Sequence, residues 1–257
     1  MKKIFLLLSI ALLMLQSCSS GDSDNNSTGS NSTLLRKSII TNPDGVFTAT
    51  YSYNGNKVTS INTIYNYNNN YNTFSNTYIT YSGDLISEMK TYDSNNVLVV
   101  KTTYNYNSNN QPYSKIELSY PNNYGEKTII TYNSNGTITG SIYEGDINSQ
   151  NNFYTNYTLT ISNGQIISSF VGNYNPSSIH YYTYDNKNSP GKNLNLTASE
   201  KLLCFSVYGG GSLYHNIIRD EVGNYVSNTE YTYNSNDYPT FERSVEYPDE
   251  DYAQYFY

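Results

Sequence analysis

The chain has 257 residues, a net charge of −7 and 14% charged residues, with 31 tyrosines, 39 asparagines and no tryptophan. An acidic chain repels nucleic acid and anionic lipid headgroups, so nucleic acid is not an expected partner. Two cysteines are too few for a disulfide framework. Tyrosine favours half-buried strands and asparagine favours turns, so the composition indicates a β protein.

The N-terminus has the pattern of a secretory signal peptide. Lys2 and Lys3 precede an apolar run that is too short to span a membrane and ends at Leu15-Gln16-Ser17-Cys18. This ending resembles the lipobox of bacterial lipoproteins, in which the cysteine is acylated. We therefore predict a signal peptide over residues 1–17, lipidation at Cys18 and a polar tether over 18–33. The resemblance implies an outer-membrane lipoprotein, on the periplasmic or the cell-surface face, with membrane lipid as a partner through Cys18.

Residues 34–257 are predicted to form one antiparallel β domain. Two apolar residues separated by one residue precede an Asn/Gly/Asp turn seven times, and such turns join strands into hairpins. The second apolar residues are Tyr53, Tyr81, Tyr106, Tyr132, Ile161, Tyr184 and Tyr233. The first six are 23 to 29 residues apart, which is room for two strands and two turns. The expected fold is a large twisted antiparallel meander sheet of repeated hairpins, curled or barrel-like.

Alternation along single strands predicts which side chains face inward. Phe153, Thr155, Tyr157, Leu159 and Ile161 share one parity, and Leu98, Val100, Thr102, Tyr104 and Tyr106 share another. Threonine and serine fill most opposite positions, which indicates a second face in water. The seven closing residues should therefore point to one side of the sheet.

One stretch departs from the strand pattern. Thr197-Ala198-Ser199-Glu200 matches the capping box S/T-x-x-E, followed by Leu202 and Leu203. It predicts a short helix over 198–206, covering one end or edge of the sheet.

The hairpin units, such as Ile130-Thr131-Tyr132-Asn133-Ser134-Asn135-Gly136, resemble degenerate YD (RHS-type) repeats. The chain is similar to uncharacterised lipoproteins of Bacteroidota built from such hairpins, whose late segment matches Tyr182-Thr183-Tyr184-Asp185-Asn186-Lys187-Asn188-Ser189-Pro190. Most of the repeats lack the Asp-Gly-Arg core. The resemblance implies localisation and fold, and no reaction.

No motif for catalysis, a metal or a cofactor is evident. The two histidines, His180 and His215, have no metal-site spacing, and Cys204 lies among apolar residues that favour an inert thiol. The candidate ligand contacts are aromatic, because tyrosines offer flat surfaces with a hydrogen-bonding oxygen: Tyr106, Tyr182, Tyr184 and His180 beside them.

Three functions remain open at this point. The first is a non-catalytic binding or surface-structural lipoprotein, with a glycan or peptide as its ligand. The second is a secreted glycan-processing enzyme using a carboxylate pair such as Glu88 and Glu117. The third is a transmembrane β-barrel, which requires an outward apolar band.

Overall fold

The computed structural model describes residues 33–68, 71–172, 179–197, 199–201, 214–249 and 251–257. Outside these residues lie the predicted signal peptide, Cys18, nearly all of the tether, and residues 198 and 202–206 of the predicted helix, Cys204 included. No helix among the described residues is long and apolar enough to cross a membrane.

Sixteen antiparallel strands form one closed barrel in which neighbours in sequence are neighbours in the sheet. The strands are β1 (Lys37–Asn42), β2 (Gly45–Asn54), β3 (Lys57–Tyr67), β4 (Asn72–Ser82), β5 (Leu85–Asp93), β6 (Leu98–Tyr106), β7 (Pro112–Ser119), β8 (Tyr124–Tyr132), β9 (Thr137–Gly145), β10 (Asn152–Ser162), β11 (Gln165–Val171), β12 (His180–Tyr184), β13 (Ile217–Val222), β14 (Tyr225–Tyr233), β15 (Pro239–Ser244) and β16 (Tyr252–Phe256). The barrel closes between β1 and β16, where Ile40 pairs with Ala253. The predicted meander of hairpins is confirmed, and the sheet has no open edge.

The predicted asparagine and glycine turns lie between the expected strands. Tight turns connect β2 to β3, β4 to β5, β8 to β9 and β10 to β11. Gly55 and Gly83 have φ values of 58° and 62°, a left-handed conformation that glycine adopts without strain. These turns lie at one end of the barrel, together with the β12–β13 connection and the start of β1. We call this the plug end, and the opposite end the far end.

The apolar parity of the strands faces the barrel interior. A closed sheet has only one enclosed side, and that side holds most of the buried strand residues. In β2, for example, Phe47, Ala49 and Tyr51 are buried, whereas Thr50 and Ser52 are exposed. The core of the protein is therefore the lumen of the barrel.

One inward assignment was wrong. Phe153 is 57% exposed, because a β-bulge between Phe153 and Thr155 shifts the register of β10 against β9. One extra residue in a strand inverts the side chains beyond it. The rest of that set keeps its inward direction: Thr155, Tyr157 and Leu159 are buried.

Candidate functional site

Most of the seven closing residues make the same contact at the plug end. Five of them are tyrosines at the ends of β2, β4, β6, β8 and β12 whose hydroxyls lie close to a backbone carbonyl at the start of the preceding odd-numbered strand. These latch pairs are Tyr53 with Leu35 (2.9 Å), Tyr81 with Val58 (3.0 Å), Tyr106 with Ile86 (2.7 Å), Tyr132 with Pro112 (3.1 Å) and Tyr184 with Ile166 (2.6 Å).

Bulges explain why these rings reach so far. In most of the hairpins the register shifts immediately before the closing residue, as between Ser52 and Tyr53 and between Thr80 and Tyr81. A bulge turns the strand and re-aims the side chain that follows it. The rings pack against the lumen core, and their hydroxyls satisfy carbonyls of the barrel mouth. Ile161, at the equivalent place in β10, has no hydroxyl and leaves a gap in this series.

The β12–β13 connection covers this mouth. Residues 185–197 and 199–201 of this connection are called here the plug segment. Leu194 is buried and, with Leu196, lines the same small pocket as Val58 and Ile86 of the barrel wall. Asn195 donates its backbone N–H to Asn56 O at 3.1 Å. Barrels of 16 to 18 strands have room for an aqueous channel, and here tyrosines and these leucines occupy the lumen at the plug end.

The capping box holds the plug segment to the wall. Glu200 N donates to Thr197 Oγ1 at 3.1 Å and Thr197 N donates to Glu200 Oε2 at 2.8 Å, as the capping-box motif predicts. Residues 199–201 are helical, so the start of the predicted helix is confirmed. The second carboxylate oxygen, Oε1, accepts the Ile86 N–H at 2.8 Å and lies 2.9 Å from the Tyr106 hydroxyl. Glu200 is 2% exposed, so one carboxylate both caps a helix and anchors it to two strands.

Two further groups fix the ends of the plug segment. Lys201 is buried and donates to Lys192 O at 2.9 Å, and burial lowers the pKa of its ammonium to about 8. At the other end, the Asp185 carboxylate accepts from Lys187 N, from both the backbone and the side-chain nitrogens of Asn216, and from the Tyr233 hydroxyl. These contacts join the beginning of the plug segment to β14 and to the last residue of the β12–β13 connection.

The far half of the lumen is polar and charged. Three carboxylates lie side by side on the inward faces of β7, β8 and β9. Glu117 pairs with Glu126 across the β7–β8 ladder, and Glu126 pairs with Glu144 across the β8–β9 ladder. Lys115 forms an ion pair of 3.0 Å with Glu117. Tyr124 donates a hydrogen bond of 2.6 Å to Glu144. Burial, more than the neighbouring carboxylates, raises the pKa of Glu126.

Three of the four predicted ligand contacts share one strand. His180, Tyr182 and Tyr184 lie on β12, with the rings of His180 and Tyr182 stacked 6.0 Å apart. His180 Nδ1 lies 2.9 Å from Asp220 Oδ1, and the Tyr182 hydroxyl lies 2.8 Å from Ser169 Oγ. Tyr106 is on β6, six strands away around the barrel. The structure therefore places Tyr106 apart from the β12 group, and Tyr106 contacts the plug segment.

The carboxylate pair considered for a glycan-processing enzyme does not form. Glu117 faces the lumen, since it pairs with the buried Thr102. Glu88 is on the outer wall, 2.5 Å from Lys90 Nζ and 2.7 Å from Lys101 Nζ. Hydrogen bonds from these lysines lower the pKa of the Glu88 carboxyl, and the bond from Lys101 has the larger effect. In the described part of the chain, no three His, Cys, Asp or Glu side chains are placed to hold a metal ion.

Sequence reasoning missed the lumen charges and the anchor role of Glu200. Alternation along the strands could have indicated the lumen charges, because Glu117, Glu126 and Glu144 occupy positions that it assigns to the inward face. The contact of Glu200 with Ile86 joins residues 114 positions apart, and no local pattern predicts it.

The fold and its interior define a closed β-barrel with a covered mouth. No family model matches the chain, and no curated protein matches it. Among solved structures, the barrel is similar to a porin-like protein from Bacteroides uniformis, with a TM-score of 0.53 and 14% identity over 86% of this chain and 97% of that one. It is also similar to a porin-like protein from Bacteroides vulgatus, with a TM-score of 0.53 and 13% identity over 87% and 98% of the two chains. At this identity the likeness establishes the shared barrel fold.

Proposed function

We propose that the chain is an exported outer-membrane lipoprotein, acylated at Cys18, whose barrel lies in water and has a non-catalytic binding or surface-structural role. The observation that supports this proposal is the distribution of apolar and charged side chains between the lumen and the outer wall of the barrel. A barrel that spans a membrane needs an apolar band about 25 Å tall on its outside. Here the apolar parity faces the lumen, and ion pairs such as Glu88 with Lys101 and Arg243 with Glu230 lie on the outer wall.

The position of the N-terminal segment supports an orientation on the membrane. Thr33 lies at the plug end, where its carbonyl accepts a hydrogen bond of 2.9 Å from Asn193 Nδ2. A tether of about 15 residues would span roughly 20 Å as a flexible coil. The plug end therefore faces the membrane in this proposal, and the far end is presented to the surroundings.

The charges of the far end agree with this orientation. In their described residues, the connections at that end contain Asp44, Asp146, Glu246, Asp249 and Asp251, and no lysine or arginine. Anionic headgroups repel such an end, so it is stable when it points away from the membrane.

A membrane-spanning barrel is the second candidate, because both similar structures are described as porin-like. One experiment separates the two. A chain lacking residues 1–18 should remain soluble and folded in detergent-free buffer if the wall faces water. If it folds only in detergent or lipid, the membrane-spanning alternative holds.

Lipidation is tested independently of solubility. Metabolic labelling with an alkyne palmitate should mark the wild-type chain and leave Cys18→Ser unlabelled. Equal labelling of both would contradict acylation at Cys18, whatever the solubility of the barrel.

A further inference from the structure

The outer wall of β3, β4 and β5 carries a surface unlike the threonine- and serine-rich wall of neighbouring β2. Phe74 and Tyr78 project outward from β4 and are 37% and 52% exposed. Ile64 of β3 pairs directly with Phe74, and Tyr92 of β5 packs edge-on against Tyr78 with ring centroids 5.9 Å apart. These side chains form one exposed, largely aromatic surface, because adjacent strands of a sheet present their outward residues side by side.

An amide pair lies inside this surface. Asn62 and Asn76 are cross-strand partners, and Asn62 Nδ2 donates to Asn76 Oδ1 at 2.9 Å. Asn76 also pairs with Tyr92 across the β4–β5 ladder. The mutual bond orients both amides and leaves Asn76 Nδ2 and Asn62 Oδ1 with further donor and acceptor capacity. We call the six residues Asn62, Ile64, Phe74, Asn76, Tyr78 and Tyr92 the platform.

The charge at the edge of the platform is positive. Lys90 pairs across the ladder with Tyr78, and Lys101 pairs with Lys90. Both ammonium groups contact the single carboxylate of Glu88. Two cations and one anion give this edge a net positive charge in a chain whose net charge is −7. The edge of the platform therefore differs in charge from the acidic far end.

We propose that the platform binds a glycan chain. Aromatic faces stack on the C–H faces of sugar rings, and fixed amides bond the hydroxyls at the ring edges. A protein partner would need a contiguous apolar centre, whereas here amides lie between the aromatic rings. This inference rests on the proposed function, because the outer wall must face water to meet a glycan.

Affinity electrophoresis tests the proposal with four soluble polysaccharides, xylan, mannan, dextran and laminarin, cast separately in native gels. The full-length chain is used in a mild non-ionic detergent, so the readout does not depend on the solubility of a truncated form. At least one polysaccharide should retard the wild type. Tyr78→Ala should weaken that retardation about tenfold in apparent Kd, the equivalent of about 1.4 kcal/mol. Asn76→Ala should weaken it in the same gel.

Tyr113→Ala is the matched control, since Tyr113 is a 46% exposed tyrosine of β7 outside the platform. It should keep wild-type retardation. The proposal is overturned if none of the four gels retards the wild type, or if Tyr78→Ala and Tyr113→Ala lose binding equally. It is also overturned if sedimentation shows a dimer that Tyr78→Ala dissociates, since the platform would then be a self-interface. Phe74→Ala provides a second platform variant if Tyr78→Ala fails to fold.

Discussion

The Tyr106 hydroxyl lies 2.9 Å from Oε1 of Glu200, and this contact joins a strand of the barrel wall to the segment that covers its mouth. The same hydroxyl lies 2.7 Å from the carbonyl of Ile86, whose N–H donates to the same Oε1. The series of closing tyrosines and the capping box of the plug segment therefore meet at one buried carboxylate.

Removal of the Glu200 carboxylate should release the plug segment. Glu200→Ala leaves the N–H groups of Ile86 and Thr197 without acceptors, and each buried unsatisfied donor costs about 1–3 kcal/mol. We expect the free energy of unfolding to fall by about 2–4 kcal/mol in a urea titration followed by circular dichroism. Glu230→Ala, on the exposed outer wall, should change it by less than about 1 kcal/mol. Equal effects of the two changes would show that Glu200 is no anchor.

The latch hydrogen bonds should each contribute a modest and similar amount. Tyr81→Phe keeps the ring and removes the hydroxyl that donates to Val58 O, so we expect a loss of about 1 kcal/mol. Tyr113→Phe, whose ring is exposed, should be neutral within about 0.5 kcal/mol. Thermal unfolding of both variants beside the wild type measures the difference.

Truncation of a latch ring is a stronger change. Tyr106→Ala should cost about 3–5 kcal/mol, as loss of other packed aromatic side chains does. A melting temperature within about 1–2 °C of the wild type corresponds to a change in the free energy of unfolding well under about 1 kcal/mol. Such a result would mean that the ring is not part of the core.

Lys201 should make stability rise with pH between about 8 and 10. Its pKa is lowered to about 8 in the folded chain, so the unfolded chain binds more protons in that window. At one pKa unit per 1.36 kcal/mol, the wild type should gain about 1.5 kcal/mol from pH 8 to pH 9.5 relative to Lys201→Met. Urea midpoints at the two pH values give this comparison. A parallel pH dependence of the two chains would refute the assignment to Lys201.

Glu126 should have the opposite pH dependence in the acid range. Burial raises its pKa, so its folded form retains a proton that the unfolded form releases, and stability falls as pH rises through the folded pKa. Glu126→Gln removes the charge and should stabilise the chain at pH 7 relative to the wild type, with the gain vanishing near pH 4. Glu221→Gln is the control, because Glu221 lies on the outer wall and Arg219 lowers its pKa. A gain for Glu126→Gln that is equal at pH 4 and pH 7 would contradict this account.

The sequence by itself determined the local structure of this protein. Period-two alternation assigned the inward faces of β6 and of most of β10, asparagine and glycine turns located the hairpins, and Thr197 with Glu200 marked the start of a helix. Each of these patterns acts between residues a few positions apart, where backbone geometry and side-chain chemistry leave few choices.

Only the tertiary structure decided how these parts combine. Closure joins Ile40 to Ala253 across nearly the whole domain, and the alternation of either strand is the same in an open sheet as in a barrel. The bulge that turns Phe153 outward and the reach of Glu200 to Ile86 also depend on which strands become neighbours. The physical reason is that alternation specifies which side of a strand is buried, whereas the partner that buries it is set by packing between segments distant in sequence.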